Sequence, residues 1–346
     1  MMRWLKQLNA SEQVALLFLV LFGFLLLLTV GLFLNSLRER EDEEARRASE
    51  LTWERVRRDL RAAWIGGSMF WVAWVSGPLG ATMLFALFSF LALREFITLV
   101  HTQRSDHRTL IVAFFVLLPL QYMACGTRFF DLFTVFLPVY GFLVLPIVSA
   151  WADDPSRFLE RNAKIQWGVM VCVYGLSHAP ALLLLDFPGY TGRGAFLLFF
   201  LVMVVASSQI AQEIATRTLR RRPLARRISR SFSMRAWWVG TLAGTVAGGL
   251  LFWITPFELL YRWRLPYGFS LWVPGQALVM AFLTASAAGF GGLVMKALKK
   301  DAGVRYWGNR SSITGAVGLL DRIAVLCFAA PVFFHSARWY FAGVAR

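Results

Sequence analysis

The chain has 346 residues, 58% hydrophobic and 16% charged, with a mean hydropathy of +0.57. Soluble globular domains carry closer to a quarter charged residues, so an ordinary water-soluble fold is excluded. The net charge of +16, from 36 Lys and Arg against 20 Asp and Glu, would suggest nucleic acid in a soluble protein; in a chain this apolar it reads as positive-inside loops and contact with anionic lipid, with no nucleic-acid partner.

The apolar runs predict an all-α, polytopic integral membrane protein. About 20 residues at 1.5 Å rise cross the hydrocarbon layer, and backbone groups in lipid must be satisfied within the segment, which makes these runs helices. The spans expected are 14–34, 62–77, 79–93, 109–124, 130–149, 165–185, 194–212, 237–255, 271–295 and 317–340, about ten in all. The first run, Val14 to Leu34, is too long for a signal-peptide core and is read as a retained helix. Residues 35–61 mix charges at helical spacing, from Arg38 through Glu44 to Glu50, and read as an interfacial linker helix. The domain division expected is therefore 1–61, an N-terminal membrane helix with its charged linker, and 62–346, the polytopic domain. The pair of short spans around Pro78 reads as two helices or as one kinked unit.

Further along, His101 and His107 flank Asp106 in a short loop, a weak metal signal, and His178 reads as a packed histidine. Residues 217–235 hold eight arginines and no acid, which places that loop in the cytoplasm together with 35–61, 94–108, 150–164 and 296–316. The expected setting is a bacterial inner membrane. Cys125, Cys172 and Cys327 have neither metal-ligand spacing nor an even-numbered disulfide pattern, so packing is the role expected of them.

A second basic patch, Lys296, Lys299, Lys300 and Arg305, ends a helix rich in small residues from Ala285 to Gly292. It reads either as a positive-inside flank or as a clamp for phosphate oxygens. After a loop punctuated by Gly303, Gly308, Gly315 and Gly318, Asp321 and Arg322 stand at the mouth of the last apolar run. They read as an interfacial pair, or Asp321 as a ligand for a divalent cation.

The segment Gly289 to Val304, followed by Leu319-Leu320-Asp321-Arg322-Ile323 and the run Leu326 to His335, resembles the signature region of phosphatidate cytidylyltransferases, which make CDP-diacylglycerol. Leu93-Arg94-Glu95-Phe96 and the many spans agree with that family. The resemblance implies the CDP-diacylglycerol synthase type of membrane fold. It also implies a reaction in which a lipid phosphate attacks the α phosphorus of CTP with release of pyrophosphate, assisted by Mg2+ on acidic side chains. Asp321, Arg322 and Lys299 are then the catalytic candidates. Lys299, Lys300, Arg305, Arg322 and Ser229 are the phosphate-binding candidates, and Asp321 the metal residue, with Glu213 or Asp301 as possible companions.

The departures from the pattern run in one direction. The signature serine is Lys296, and the lysine-aspartate pair is Arg305 and Tyr306. The histidine is Ala316, the following glycine is Val317, and the second terminal aspartate is Ala324. An upstream acidic element is Ser208-Gln209. Acids are lost while bases are kept or gained. The expected function is therefore a cytidylyltransferase-like protein that binds phosphatidate or a related anionic phospholipid, with catalysis lost or altered and a regulatory role in phospholipid metabolism. Its partners would be that lipid and a second copy of the chain or a membrane enzyme. The alternatives are an active synthase, which would take CTP and Mg2+, and a lipid transporter.

Overall fold

Backbone amides in hydrocarbon have no water to bond, and the apolar runs accordingly close their hydrogen bonds within helices. In a computed structural model of the chain, residues 8–36, 57, 60–61, 63–100, 102–187, 190–219, 223–229, 231–257, 261–264, 270–304 and 318–344 are described. Eight helices among them are long and apolar enough to cross a membrane. They are α1 (Ala10–Ser36), α3 (Gly77–Leu99), α4 (Arg104–Gly126), α5 (Phe130–Ala150), α6 (Phe158–Leu184), α7 (Gly194–Thr218), α9 (Gly275–Asp301) and α10 (Leu319–Val344). Two shorter helices fall where spans were expected, α2 (Ala63–Val75) and α8 (Met234–Leu250, 17 residues). The chain is thus an all-α polytopic membrane protein, apart, among the described residues, from one antiparallel hairpin, β1 (Tyr261–Arg264) with β2 (Ser270–Val273).

That hairpin displaces two expected boundaries. Residues 271–273 were assigned to a span but lie in β2, because Pro274 lacks the N–H a helix interior needs and α9 starts at Gly275. The preceding span was expected to reach 255, but α8 stops at Leu250 and a single 3-10 turn, Phe252–Ile254, follows. Around Pro78 the unit is two helices, divided where Gly77 takes a φ of +68°, a left-handed conformation that glycine adopts without steric cost. α4, α5 and α6 each contain a π-helical stretch, at Ala113–Leu117, Phe136–Gly141 and Met170–Gly175. In α4 and α6 a proline follows within five residues, and in α5 Pro138 lies inside the stretch; each proline removes an N–H from the helical ladder.

Alternation of the helices sorts their ends onto two faces, and side-chain bonds tie each face together. On one face Arg161 holds Gln103 (2.8 Å) and Asp154 (2.5 Å), Lys300 donates to the Arg227 carbonyl, and the Leu319 amide donates to Glu95 (3.0 Å). On the other, Arg128 pairs with Asp186 (2.6 Å), Arg338 with Asp131, and the Tyr190 hydroxyl donates to the Ile254 carbonyl (2.6 Å). The first of these is the basic face.

Between the faces the core forms two clusters. One, around Phe133, Phe200, Phe257 and Phe333, joins α1, α7, α9 and α10 toward the second face. The other, around Leu93, Phe96, Leu117, Ile165, Leu320 and Cys327, joins α3, α4, α6 and α10 toward the basic face. Large apolar side chains such as Leu19, Leu27, Leu79, Phe115 and Val246 are exposed around the circumference, as lipid contact requires.

The tightest packing is made by α8, whose Gly240, Gly244 and Gly248 lie at a spacing of four and so share a helix face. A Cβ at Gly248 would stand 2.3 Å from the Ala281 Cβ, and one at Gly244 would stand 2.9 Å from the Ala285 Cβ and 3.0 Å from the Ser208 Cβ. At Gly240 it would stand 2.7 Å from the Ser208 carbonyl oxygen. With no side chains in the way, α7, α8 and α9 approach to backbone contact, the arrangement small residues permit in membranes.

A lysine and glutamine cavity at the basic face

The close approach of α7 and α9 across α8 opens a small cavity of about 130 Å³ at the basic end of the bundle. Gln209 and Gln212 reach it from α7, Gly289, Gly292, Met295, Lys296 and Lys299 from α9, and Asp321, Ala324 and Val325 from α10, with Phe232 closing one side. The α9 residues share one face by their spacing of three and four.

At its centre the Lys299 Nζ lies 2.5 Å from the Asp321 Oδ1, and both side chains are about three-quarters covered. Lys296, one turn earlier on α9, lines the same cavity and is exposed at the surface. Among the described residues it has no hydrogen-bond or ion-pair partner; Glu213, whose charge acts on it, is itself paired with Arg217 and 66% exposed. The other lining polar atoms are short of partners as well. Gln209 Nε2 and Gln212 Oε1 are buried without a hydrogen bond; behind the lining, so is the Trp237 Nε1, which a Cβ at Gly289 would meet at 2.8 Å.

Asp321 is placed by a carboxylate from far along the sequence. Glu95 on α3 is 2% exposed, and its Oε2 accepts the Leu319 amide at 3.0 Å, while its Oε1 is buried without a hydrogen bond. That amide is among the first N–H groups of α10, which have no partner within the helix, so Glu95 caps α10 from another helix. Leu93-Arg94-Glu95-Phe96 was noted in the sequence without a role for Glu95; a carboxylate one turn from a helix end at the mouth of a span was the available signal.

The other candidates lie as follows. Lys300, 100° round the helix from Lys299, donates to the Arg227 carbonyl and ties the basic loop to α9. Ser229 is buried in that loop, where its Oγ accepts the Phe232 amide (3.2 Å) and so holds the side of the cavity that Phe232 closes. Arg322 is exposed beside Asp321. Asp301 ends α9, exposed, two residues past Lys299 and about 200° from it. Arg305, Tyr306, Ala316 and Val317 lie outside the described residues. Among the described residues no three His, Cys, Asp or Glu side chains stand close enough together to hold a metal ion.

Elsewhere, Asp106 faces the Arg161 Nε at 3.0 Å, away from any metal role with the exposed His107; His101 lies outside the described residues. His178 is fully buried near the opposite face, its Nδ1 2.7 Å from the Tyr174 carbonyl and its Nε2 3.3 Å from the Nε2 of His335. The three cysteines are free and buried.

Two comparisons with known proteins bear on this arrangement. The model of the cytidylyltransferase family matches residues 57–340. The Escherichia coli (strain K12) protein described as "Uncharacterized protein YnbB" is 35% identical over 272 residues, which are 77% of this chain and 82% of that protein.

Proposed function

The chain belongs to the cytidylyltransferase family, that of the phosphatidate cytidylyltransferase-like membrane proteins, and from that premise we propose that it binds phosphatidate or a related anionic phospholipid in the cavity between α7, α9 and α10, with the family's usual catalysis lost or altered. The observation that carries this reading is the Lys299–Asp321 ion pair: among the described residues the one acid lining the cavity is engaged by a lysine, and amides and a second lysine supply the remaining polar lining. Such a lining neutralises phosphate oxygens and leaves no carboxylate there to serve as base or to gather cations. The cavity is smaller than the several hundred Å³ usual for larger organic ligands, which suits a phosphate head group. Lipid tails would stay among the exposed apolar helices.

The alternative of an active synthase draws on the retained Asp321 and Arg322 and would bring in CTP and Mg2+. One assay separates the two. Purified protein is given phosphatidate, CTP and Mg2+, and CDP-diacylglycerol is measured beside Asp321→Ala. The binding reading expects phosphatidate retention without turnover; abundant product that depends on Asp321 refutes it. Transport is tested by lipid movement between leaflets of reconstituted vesicles, which the binding reading expects to stay at the protein-free rate.

Two further assignments belong to this reading. Residues 1–61 are an N-terminal addition to the polytopic domain 62–346, a division supported by a family match that starts at residue 57. The basic face, with Lys296, Lys299, Lys300 and the arginines of 217–235, is cytoplasmic by the positive-inside rule, in a bacterial inner membrane. A regulatory role in phospholipid metabolism would come from an oligomer or a membrane enzyme that senses the bound lipid.

A further inference from the structure

The lining of the cavity can be tested for its fit to the Mg2+ that the family chemistry implies. Magnesium takes hard oxygen ligands in a near-octahedral shell and is usually anchored by one or two free carboxylates. Among the described residues the only lining carboxylate is Asp321, and the Lys299 ammonium holds it at 2.5 Å. Glu213 turns to Arg217 at the surface, and Asp301 lies on another side of α9. Two ammonium groups on one face of α9 would repel a divalent cation entering between them. The residues present do not fit the metal.

The substitutions are coupled through charge. Where the resemblance places an acid, the cavity has Gln209 and Ala324, and where it places a neutral serine it has Lys296. Removing carboxylates removes what would hold a divalent cation, and adding a lysine restores positive charge at the same place. Lys296 is also the cavity's free cation among the described residues, since Lys299 is held by Asp321. Building on the lipid-binding reading above, we propose that the Lys296 ammonium stands in for the divalent cation, so that the cavity binds a phosphate group without metal.

The test uses the full chain in nanodiscs of phosphatidylcholine. Spin-labelled phosphatidate reports lipid binding and phosphorus NMR line broadening reports inorganic phosphate, each in excess EDTA and in Mg2+. The expected result is equal binding in the two media for the wild type. Lys296→Ser, which restores the family's residue, should bind about tenfold more weakly in EDTA, while Lys296→Arg holds near wild type, because a charge-assisted contact is what the variant removes. Thermal unfolding of both variants checks the fold. Wild-type binding that requires Mg2+, or Lys296→Ser binding as tightly as wild type in EDTA, overturns the proposal. Inorganic phosphate bound without metal and lost in Lys296→Ser, with no preference for phosphatidate, would uphold the metal-free site and sink the lipid reading instead. Binding of neither probe in either medium sinks both.

Discussion

Glu95 offers the sharpest test of how the cavity is held in place. Its carboxylate sits 2% exposed at the start of α10, where Oε2 accepts the Leu319 amide at 3.0 Å. Glu95→Gln keeps the shape and an oxygen that accepts the Leu319 amide but removes the charge facing the helix dipole. A hydrogen bond to a charged group contributes roughly 1.5–3 kcal/mol and a partly buried helix-end charge up to about 2 kcal/mol, with overlap between the two, so the variant should lose about 2 kcal/mol. Glu95→Ala removes the acceptor, leaves the Leu319 N–H unpaired and vacates side-chain volume; roughly 3 kcal/mol is expected. The assay is reversible unfolding in mixed micelles titrated with SDS, followed by tryptophan fluorescence, with phosphatidate binding measured in parallel. Both variants should shift the midpoint to lower SDS, Ala further than Gln, and both should weaken binding through the displaced Asp321. If the two unfold at the wild-type midpoint, the cap contributes nothing and the account of how α10 is seated is wrong.

Two other outcomes are expected. Gly248→Ala would place a Cβ 2.3 Å from that of Ala281, so α8 and α9 must part, at a cost of about 1–3 kcal/mol, whereas Gly66→Ala meets nothing within 4 Å and should unfold no earlier than wild type; thermal unfolding in detergent compares them. At the loop between α5 and α6, hydrogen bonds from Ser156 and Arg161 hold the Asp154 carboxyl well below the usual carboxylate range. A folded pKa below the unfolded value means stability that is fully present above about pH 4 and is lost as the pH falls below it, toward the folded value. The difference in unfolding midpoint between wild type and Asp154→Asn should therefore be flat near neutrality and shrink in acid; a difference that grows in acid would contradict the assignment.

The spans were legible because hydrophobicity in a membrane is nearly a one-dimensional code: Val14 to Leu34 or Phe130 to Ala150 can be little else. The hairpin at 261–273 was not, since Leu271-Trp272-Val273 is apolar enough to merge into the next helix and only Pro274 marks the break. At the site, Lys299 and Asp321 were both named as candidates, but their pairing joins residues 22 positions apart across a loop and no local pattern encodes it. Lys296 was visible as a departure from the family serine, and its role needed the position of Glu213, which the sequence left free to approach Asp321 and which instead bonds within its own helix. The stripe Gly240, Gly244 and Gly248 is readable at its spacing of four, but only the packing shows that Ala281 and Ala285 of α9 are its counterpart.

The contact between Glu95 and Leu319 spans 224 positions of chain, and that distance has a consequence for biogenesis. Helices enter the membrane in order of synthesis, so α3 is in place with a carboxylate awaiting its partner while seven further helices are made. Until α10 emerges and presents its amides, that carboxylate has only water at the interface or neighbouring cations to satisfy it. The cavity is consequently one of the last parts of the molecule to exist, and a nascent chain stalled before residue 318 would be inserted yet have no site. On the proposed lipid-binding reading, the cavity would be available to a ligand only once α10 has been made and seated.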